Sequence, residues 1–257
     1  MRAIIFSLIL FAGGIMAIEK ETLTITVIYD NNAFNPKLKT GWGFSCIVKG
    51  TEKTLLFDTG SDNEILLSNM ESLGIDPAEI KLVVLSHNHW DHVGGLFRFL
   101  KVNSKVEIWL PKSFSDNFKA RIKNYKACYQ EITDSARIGE GVYSTGEMGT
   151  WIKEQSLILK TDKGLVVITG CAHPGIVEIV AKTKNWLKEK VYLVLGGFHL
   201  SGCSDRELKN IIGQFRKLGV EKVGPCHCSG ERCRELFKRE YHEDFVEIAA
   251  GSILRIE

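Results

Sequence analysis

Short runs rich in β-branched and aromatic residues recur along the whole chain, over Leu23–Tyr29, Phe44–Val48, Thr54–Phe57, Lys81–Leu85, Val106–Leu110, Ser156–Lys160, Leu165–Thr169, Val191–Leu195 and Ile253–Ile256. Helical periodicity falls between them, over Asp62–Leu73, Ser113–Asn124, Ile176–Lys188, Asp205–Leu218 and Gly230–Glu240, with Ser204 and Ser229 as the expected N-caps of the last two. Strands dominate the first half and alternate with helices in the second. Such a chain buries its strands by packing two sheets face to face with helices outside, an α/β (α+β) fold. At 257 residues and 44% hydrophobic it has ample core for one large domain, and disordered, collagen-like and coiled-coil readings are excluded. No repeat or linker divides residues 18–257, which are expected to form a single domain.

Residues 1–17 differ from the rest. Arg2 gives a positive start, Ala3–Phe11 is apolar, and Ala12, Gly13, Gly14 and Ala17 are small, the pattern of a secretory signal peptide. Cleavage predicts an exported protein, periplasmic or extracellular; if the segment stays on, as an N-terminal strand or a tether, the protein is cytoplasmic. The apolar run is too short for a stable membrane span. Lys plus Arg at 33 against Asp plus Glu at 31 leaves a net charge of +2, too weak a field for a polyanionic partner, so no nucleic acid is expected. The basic residues between Lys112 and Lys126, and Lys182, Lys184, Lys188 and Lys190, suit solvated helix faces, with an anionic substrate as the other reading. Nothing in the sequence specifies an oligomeric state.

Seven cysteines, at 46, 128, 171, 203, 226, 228 and 233, include no Cys-x-x-Cys pair. Three readings stay open for Cys203, Cys226, Cys228 and Cys233: disulfides, a four-thiolate zinc site, or plain thiols.

Six of the seven histidines stand at the ends of apolar runs, where loops converge without disturbing a core; only His242, in a charged stretch, looks ordinary. The densest group is Ser86-His87-Asn88-His89-Trp90-Asp91-His92-Val93-Gly94-Gly95. In extended backbone His87 and His89 point the same way and can chelate one ion, while Asp91 and His92 follow as the chain turns toward a second. Glycines 94 and 95 allow a tight turn into the next helix.

This string resembles the signature of the metallo-β-lactamase-fold hydrolases. Leu55-Leu56-Phe57-Asp58-Thr59-Gly60 is similar to that superfamily's strand-ending Asp, so the resemblance implies that Asp58 orients the ligand loop from behind. Downstream come Thr169-Gly170-Cys171-Ala172-His173, Gly196-Gly197-Phe198-His199-Leu200 and Pro225-Cys226-His227-Cys228-Ser229-Gly230. In this order they resemble the subgroup that includes the archaeal-type dihydropterin phosphate synthases and many metal-dependent hydrolases. The resemblance spans about residues 22 to 257 and implies a four-layer αββα sandwich.

It also implies a ligand set: His87, His89 and His173 around one ion, and Asp91, His92 and His227 around the other. One departure matters, because most of the superfamily ends the relevant strand in Thr-Gly-Asp with a bridging Asp, and here the position holds Cys171. Either Cys171 bridges as a thiolate, or His173 supplies the missing ligand, or both contribute. His199 falls where relatives place a substrate-facing loop, so Asp91 and His199 are the residues expected to take part in the reaction.

The expected cofactors are two divalent ions, zinc first, with manganese or iron as alternatives. Together they would lower the pKa of a shared water from 15.7 to about 7 and direct it at phosphorus or a carbonyl carbon. The expected activity is therefore hydrolysis of a small phosphoester, phosphodiester or related ester. Alternatives are the pterin-linked condensation of the subgroup's synthases and a non-catalytic metal-binding or sensor protein. A nucleophilic Cys171 beside His173 would leave the cluster at 87–92 without employment.

Overall fold

The structure, a computed structural model, describes residues 22–257. The expected signal peptide at 1–17 lies outside the described residues.

One seven-stranded sheet is built from the first half of the chain and its last strand: β1 (Leu23–Tyr29), β2 (Ser45–Lys49), β3 (Leu55–Phe57), β4 (Leu82–Val84), β5 (Glu107–Pro111), β6 (Cys128–Ile132) and the C-terminal Ile253–Ile256, in the order C-terminal strand, β1, β2, β3, β4, β5, β6. From β3 to β6 the strands run parallel. Parallel neighbours need crossovers, and helices α1 (Asn63–Ser72), α2 (Trp90–Val93), α3 (Leu96–Val102) and α4 (Asp116–Asn124) supply them. The first half is thus richer in helix than expected, since its strands alternate with helices much as the second half's do.

A second, six-stranded sheet holds β7 (Ala136–Gly139), β8 (Val142–Ser144), β9 (Leu157–Thr161), β10 (Gly164–Thr169), β11 (Val191–Gly197) and β12 (Lys222–Cys226), in the spatial order β12, β11, β10, β9, β8, β7. The parallel strands β10, β11 and β12 are joined by α5 (Ile176–Leu187) and α6 (Asp205–Leu218). Helix α7 (Glu231–Tyr241) follows β12, and the C-terminal strand is β13.

Three apolar layers hold four layers of structure together. Ile47, Leu56, Val83 and Ile108 pack against Leu66, Met70, Phe99 and Ile122 on the outer helices of the first sheet. Phe57, Val84, Ile168, Leu195 and Ile248 fill the space between the sheets. Val167, Val194 and Val223 pack against Ile179, Leu208, Phe215 and Phe237 on the other side. The result is the αββα sandwich.

Helix termini are tied locally. Asp62 caps α1, accepting from the Glu64 and Ile65 N–H groups, and Ser204 with Glu207 forms a reciprocal capping box on α6. Ser229 is not the cap of α7. The helix opens at Gly230 with no side-chain cap; Ser229 Oγ instead accepts from Phe198 N–H and donates to the Cys226 carbonyl, joining two strand ends.

Candidate metal centre

Strands β3, β4, β10, β11 and β12 all run toward one end of the sandwich, and the candidate residues follow their carboxyl ends: Asp58, the 87–92 string, Cys171 and His173, His199, and His227. The turns are sharp. Asp58, Ala172, His199 and His227 all have positive φ, between 50° and 59°, although none is glycine. Each costs roughly 1–2 kcal/mol of backbone strain. Four such residues at one rim turn side chains inward that a regular strand would point elsewhere. Gly170 permits the last close approach: a Cβ there would lie 2.2 Å from Ser86 Oγ and 3.0 Å from Asp58 Oδ2.

Seven of the residues singled out in the sequence fall into two donor groups. The donor atoms of His87, His89 and His173 lie within 4.8 Å of one another, and so do those of Asp91, His92, Cys171 and His227. The groups adjoin, since the His87 and His92 ring centroids are 4.3 Å apart. Cys171 Sγ is 3.2 Å from His92 Nε2, and Asp91 Oδ2 is 3.3 Å from His227 Nε2. His173 and Cys171 therefore go to different groups. His199 is exposed at the mouth with its ring 4.6 Å from that of His173, and His242 lies at the far end of α7.

Behind the donors a set of acceptors fixes the ring nitrogens. Asp58, fully buried, accepts from the Ser86 N–H, the Ser86 hydroxyl and His92 Nδ1, each at 2.7 Å. His87 Nδ1 donates to the same hydroxyl at 2.9 Å. His173 Nδ1 donates to Glu154 Oε2 at 2.8 Å, and His227 Nδ1 to Asn31 Oδ1 at 3.1 Å. With four Nδ1 atoms occupied, the four Nε2 atoms are left for whatever sits between them.

Glu154 does more than hold one ring. Its Oε1 accepts from the backbone N–H groups of Cys171 and Ala172, and its Oε2 from that of His173, at 2.8–2.9 Å. One buried carboxylate thus fixes the whole β10 turn. It closes a small hairpin through the Met148–Glu154 bridge, with Trp151 fully exposed at its tip.

The residues fit a metal. His87 Nε2 and His227 Nε2 are buried with no hydrogen-bond partner, a costly condition that a cation between the donors relieves. For His87 and His92 electrostatics favour the neutral, ligand-competent form, whereas at His227 the contact with Asp91 and nearby negative charge outweigh burial and raise the imidazole. Burial, together with the neighbouring imidazole charge, pushes His87 down to about 3, and burial and His227 take His92 to about 4. Burial raises Asp91 and Glu154, but the close imidazoles of His227 and His92, and of His87 and His173, outweigh it and hold both carboxyls well below their usual range. Burial pushes Asp58 up to about 7 against the opposing His87 charge and the Ser86 hydrogen bonds, and Asp58 Oδ2 stands 2.7 Å from His92 Nδ1. Neutral His87 and His92 and ionised Asp91 and Glu154 suit a divalent ion, whose binding displaces any proton left on His227.

The cysteines at 203, 226, 228 and 233 do not assemble. All seven cysteines are free thiols; Cys226 and Cys233 pack in the apolar layers, and among the described residues Cys228 alone of the four joins a donor cluster, with Cys171 and His199. Glu154, Asn31 and Cys228 were not singled out from the sequence for the site.

The sequence profile of the Metallo-beta-lactamase superfamily matches residues 43–180. The chain belongs to the metallo-β-lactamase superfamily. It is thereby a member of a family of enzymes. It is 31% identical to the 7,8-dihydropterin-6-methyl-4-(beta-D-ribofuranosyl)-aminobenzene-5'-phosphate synthase of Methanocaldococcus jannaschii, over 90% of this chain and 95% of that protein. Among solved structures, a metal-dependent hydrolase of the beta-lactamase superfamily is 32% identical with a TM-score of 0.79, over 91% of this chain and 99% of that one. Human tRNase Z, short form, shares the fold at 13% identity and a TM-score of 0.62, covering 90% of this chain and 98% of that one.

Proposed function

We propose that this protein is a binuclear metal-dependent hydrolase of a small phosphoester, phosphodiester or related ester. The observation that carries the reading is the pair of adjoining donor groups, three imidazoles on one side and a carboxylate, two imidazoles and a thiol on the other. Two divalent ions, zinc foremost, would supply Lewis acidity and a water of lowered pKa there.

The chain's own groups have separable tasks. Asp58 and Glu154 aim the imidazoles. Asp91, ionised and only 6% exposed, would take up the proton of the attacking water. His199, exposed beside His173, donates to the oxygen that gains charge as the ester breaks; such a donor contributes about 10²–10³ in rate. Trp42, half-exposed with its ring 5.1 Å from that of His227, offers an apolar wall for a small-molecule substrate.

The similarity to the archaeal synthase favours a second reading, a pterin-linked condensation. An exported protein would not meet that chemistry's cytoplasmic substrates, and residues 1–17 carry the features of an export signal. No helix among the described residues is long and apolar enough to cross a membrane.

Metal analysis of the purified protein, followed by assay on aryl phosphate, bis-aryl phosphate and lactone substrates, tests the proposal. About two ions per chain and chelator-sensitive turnover of at least one ester are expected. Two ions with no hydrolysis, together with condensation of a dihydropterin substrate, would transfer the assignment to the synthase reading.

A further inference from the structure

Cys228 stands outside the two donor groups, yet its surroundings are built for it. Regular strand alternation would send His227 and Cys228 to opposite faces. The left-handed backbone at His227, φ 50°, opens a 3-10 turn over His227–Ser229 instead, and both side chains then face the site. Cys226, just before the turn, goes to the core between the sheets.

Cys228 is 5% exposed, and its Sγ, Cys171 Sγ and a His199 ring nitrogen all lie within 4.8 Å of one another. The Sγ also touches the Cys171 carbonyl at 3.8 Å. Gly197 on β11 leaves the space: a Cβ there would stand 2.7 Å from Cys228 Sγ and 2.2 Å from the Gly170 carbonyl. Two buried thiols thus converge at the edge of the Asp91–His92–His227 group, with Cys171 common to both clusters.

We propose that Cys228 is a metal ligand, forming with Cys171 a two-thiolate edge that makes this half of the centre selective for thiophilic ions. The inference rests on the binuclear reading of the site but concerns a residue outside it. Each thiol releases its proton to solvent as the sulfur binds. Thiolates favour zinc, iron(II), cobalt(II) or cadmium over manganese and magnesium, which prefer oxygen donors.

Cobalt(II) or cadmium added to the metal-free full chain reads the proposal without any assay of activity, through the thiolate-to-metal charge-transfer band. Cys171→Ser and Cys228→Ser should each remove about half of the band, the double variant all of it, and His199→Ala none. In the zinc-loaded wild-type protein, X-ray absorption should count about two sulfurs per two ions at about 2.3 Å, a measurement independent of whether either variant folds. A band unchanged in Cys228→Ser, or one sulfur per two ions, overturns the proposal and leaves the hydrolase reading intact. Two sulfurs with no ester hydrolysis would instead sink the hydrolase reading and leave Cys228 a ligand. A wild-type chain that binds neither metal ends both.

Discussion

Replacing Glu154 by Gln removes one charge and almost no volume, so its effect isolates what the carboxylate does. Glu154 accepts three consecutive backbone N–H groups and the His173 Nδ1–H. An amide keeps one oxygen; if that oxygen holds Cys171 and Ala172, the new NH2 faces the His173 N–H, donor against donor. Leaving one buried N–H unpaired costs about 1–3 kcal/mol, and turning two charge-assisted bonds into neutral ones costs about 1 kcal/mol each. The total is about 3–5 kcal/mol, or about 10 °C in Tm for a chain of this size.

A second effect falls on the imidazole. The amide NH2 would draw the lone pair of His173 to Nδ1 and place its proton on Nε2, toward the centre, so metal retention should fall about 10–100-fold. The sign of the pH dependence follows from the depressed carboxyl. Its contribution is complete above the ordinary value of about 4.3 and is lost as pH falls below it, so the gap between wild type and variant should be constant from pH 5 to 8 and narrow in acid. Thermal unfolding of both metal-free proteins and a chelator competition measure the two effects. A variant with an unchanged Tm and unchanged metal affinity would refute the account of the β10 turn.

Asp91→Ala should lose one or both ions whereas His242→Ala should keep full content, as read by elemental analysis; full content in the Asp91 variant would remove it from the ligand set. His199→Ala should retain its metals but lose about 10²–10³ in kcat, and loss of metal with it would make His199 a ligand. In metal-free protein His87 and His92 are held down, to about 3 and about 4, by burial. Their neutral forms contribute stability that is complete above about 6.5 and lost as pH falls toward 4, at about 1.4 kcal/mol per pH unit per ring. Denaturant unfolding at pH 7.5, 6 and 5 should show that slope, and a flat profile would argue against the burial.

What was legible in the sequence was what is local or punctuates a strand. The 87–92 string sits in one turn, and His173, His199 and His227 mark strand ends, so their types and positions were visible without knowing the pairing. Glu154 gave no such signal: it works 17–19 residues from the turn it holds and reaches it only because a hairpin folds back. The sequence groups Cys228 with Cys203, Cys226 and Cys233 because strand alternation does not foresee a left-handed histidine at 227. Among the elements, β6 is a largely exposed edge strand, β12 carries Gly224 and Pro225, and α2 is a single turn. None of them has the apolar rhythm that marks a buried strand or a longer helix.

The donors divide by parentage. His87, His89, Asp91 and His92 hang from the first sheet, and Cys171, His173, His199 and His227 from the second. Their spacing is therefore a gauge of how the two plates are set against each other. Phe57, Val84, Ile168 and Cys226 line the gap between the plates and immediately precede the loops that carry the site. Interiors packed as tightly as crystals transmit a methylene's worth of change rather than absorbing it. A volume change at Ile168 or Val84 would thus register as misalignment of the donors as well as a loss of stability. Loops at the mouth can vary freely by comparison, which leaves substrate choice open to change while the layer between the sheets stays fixed.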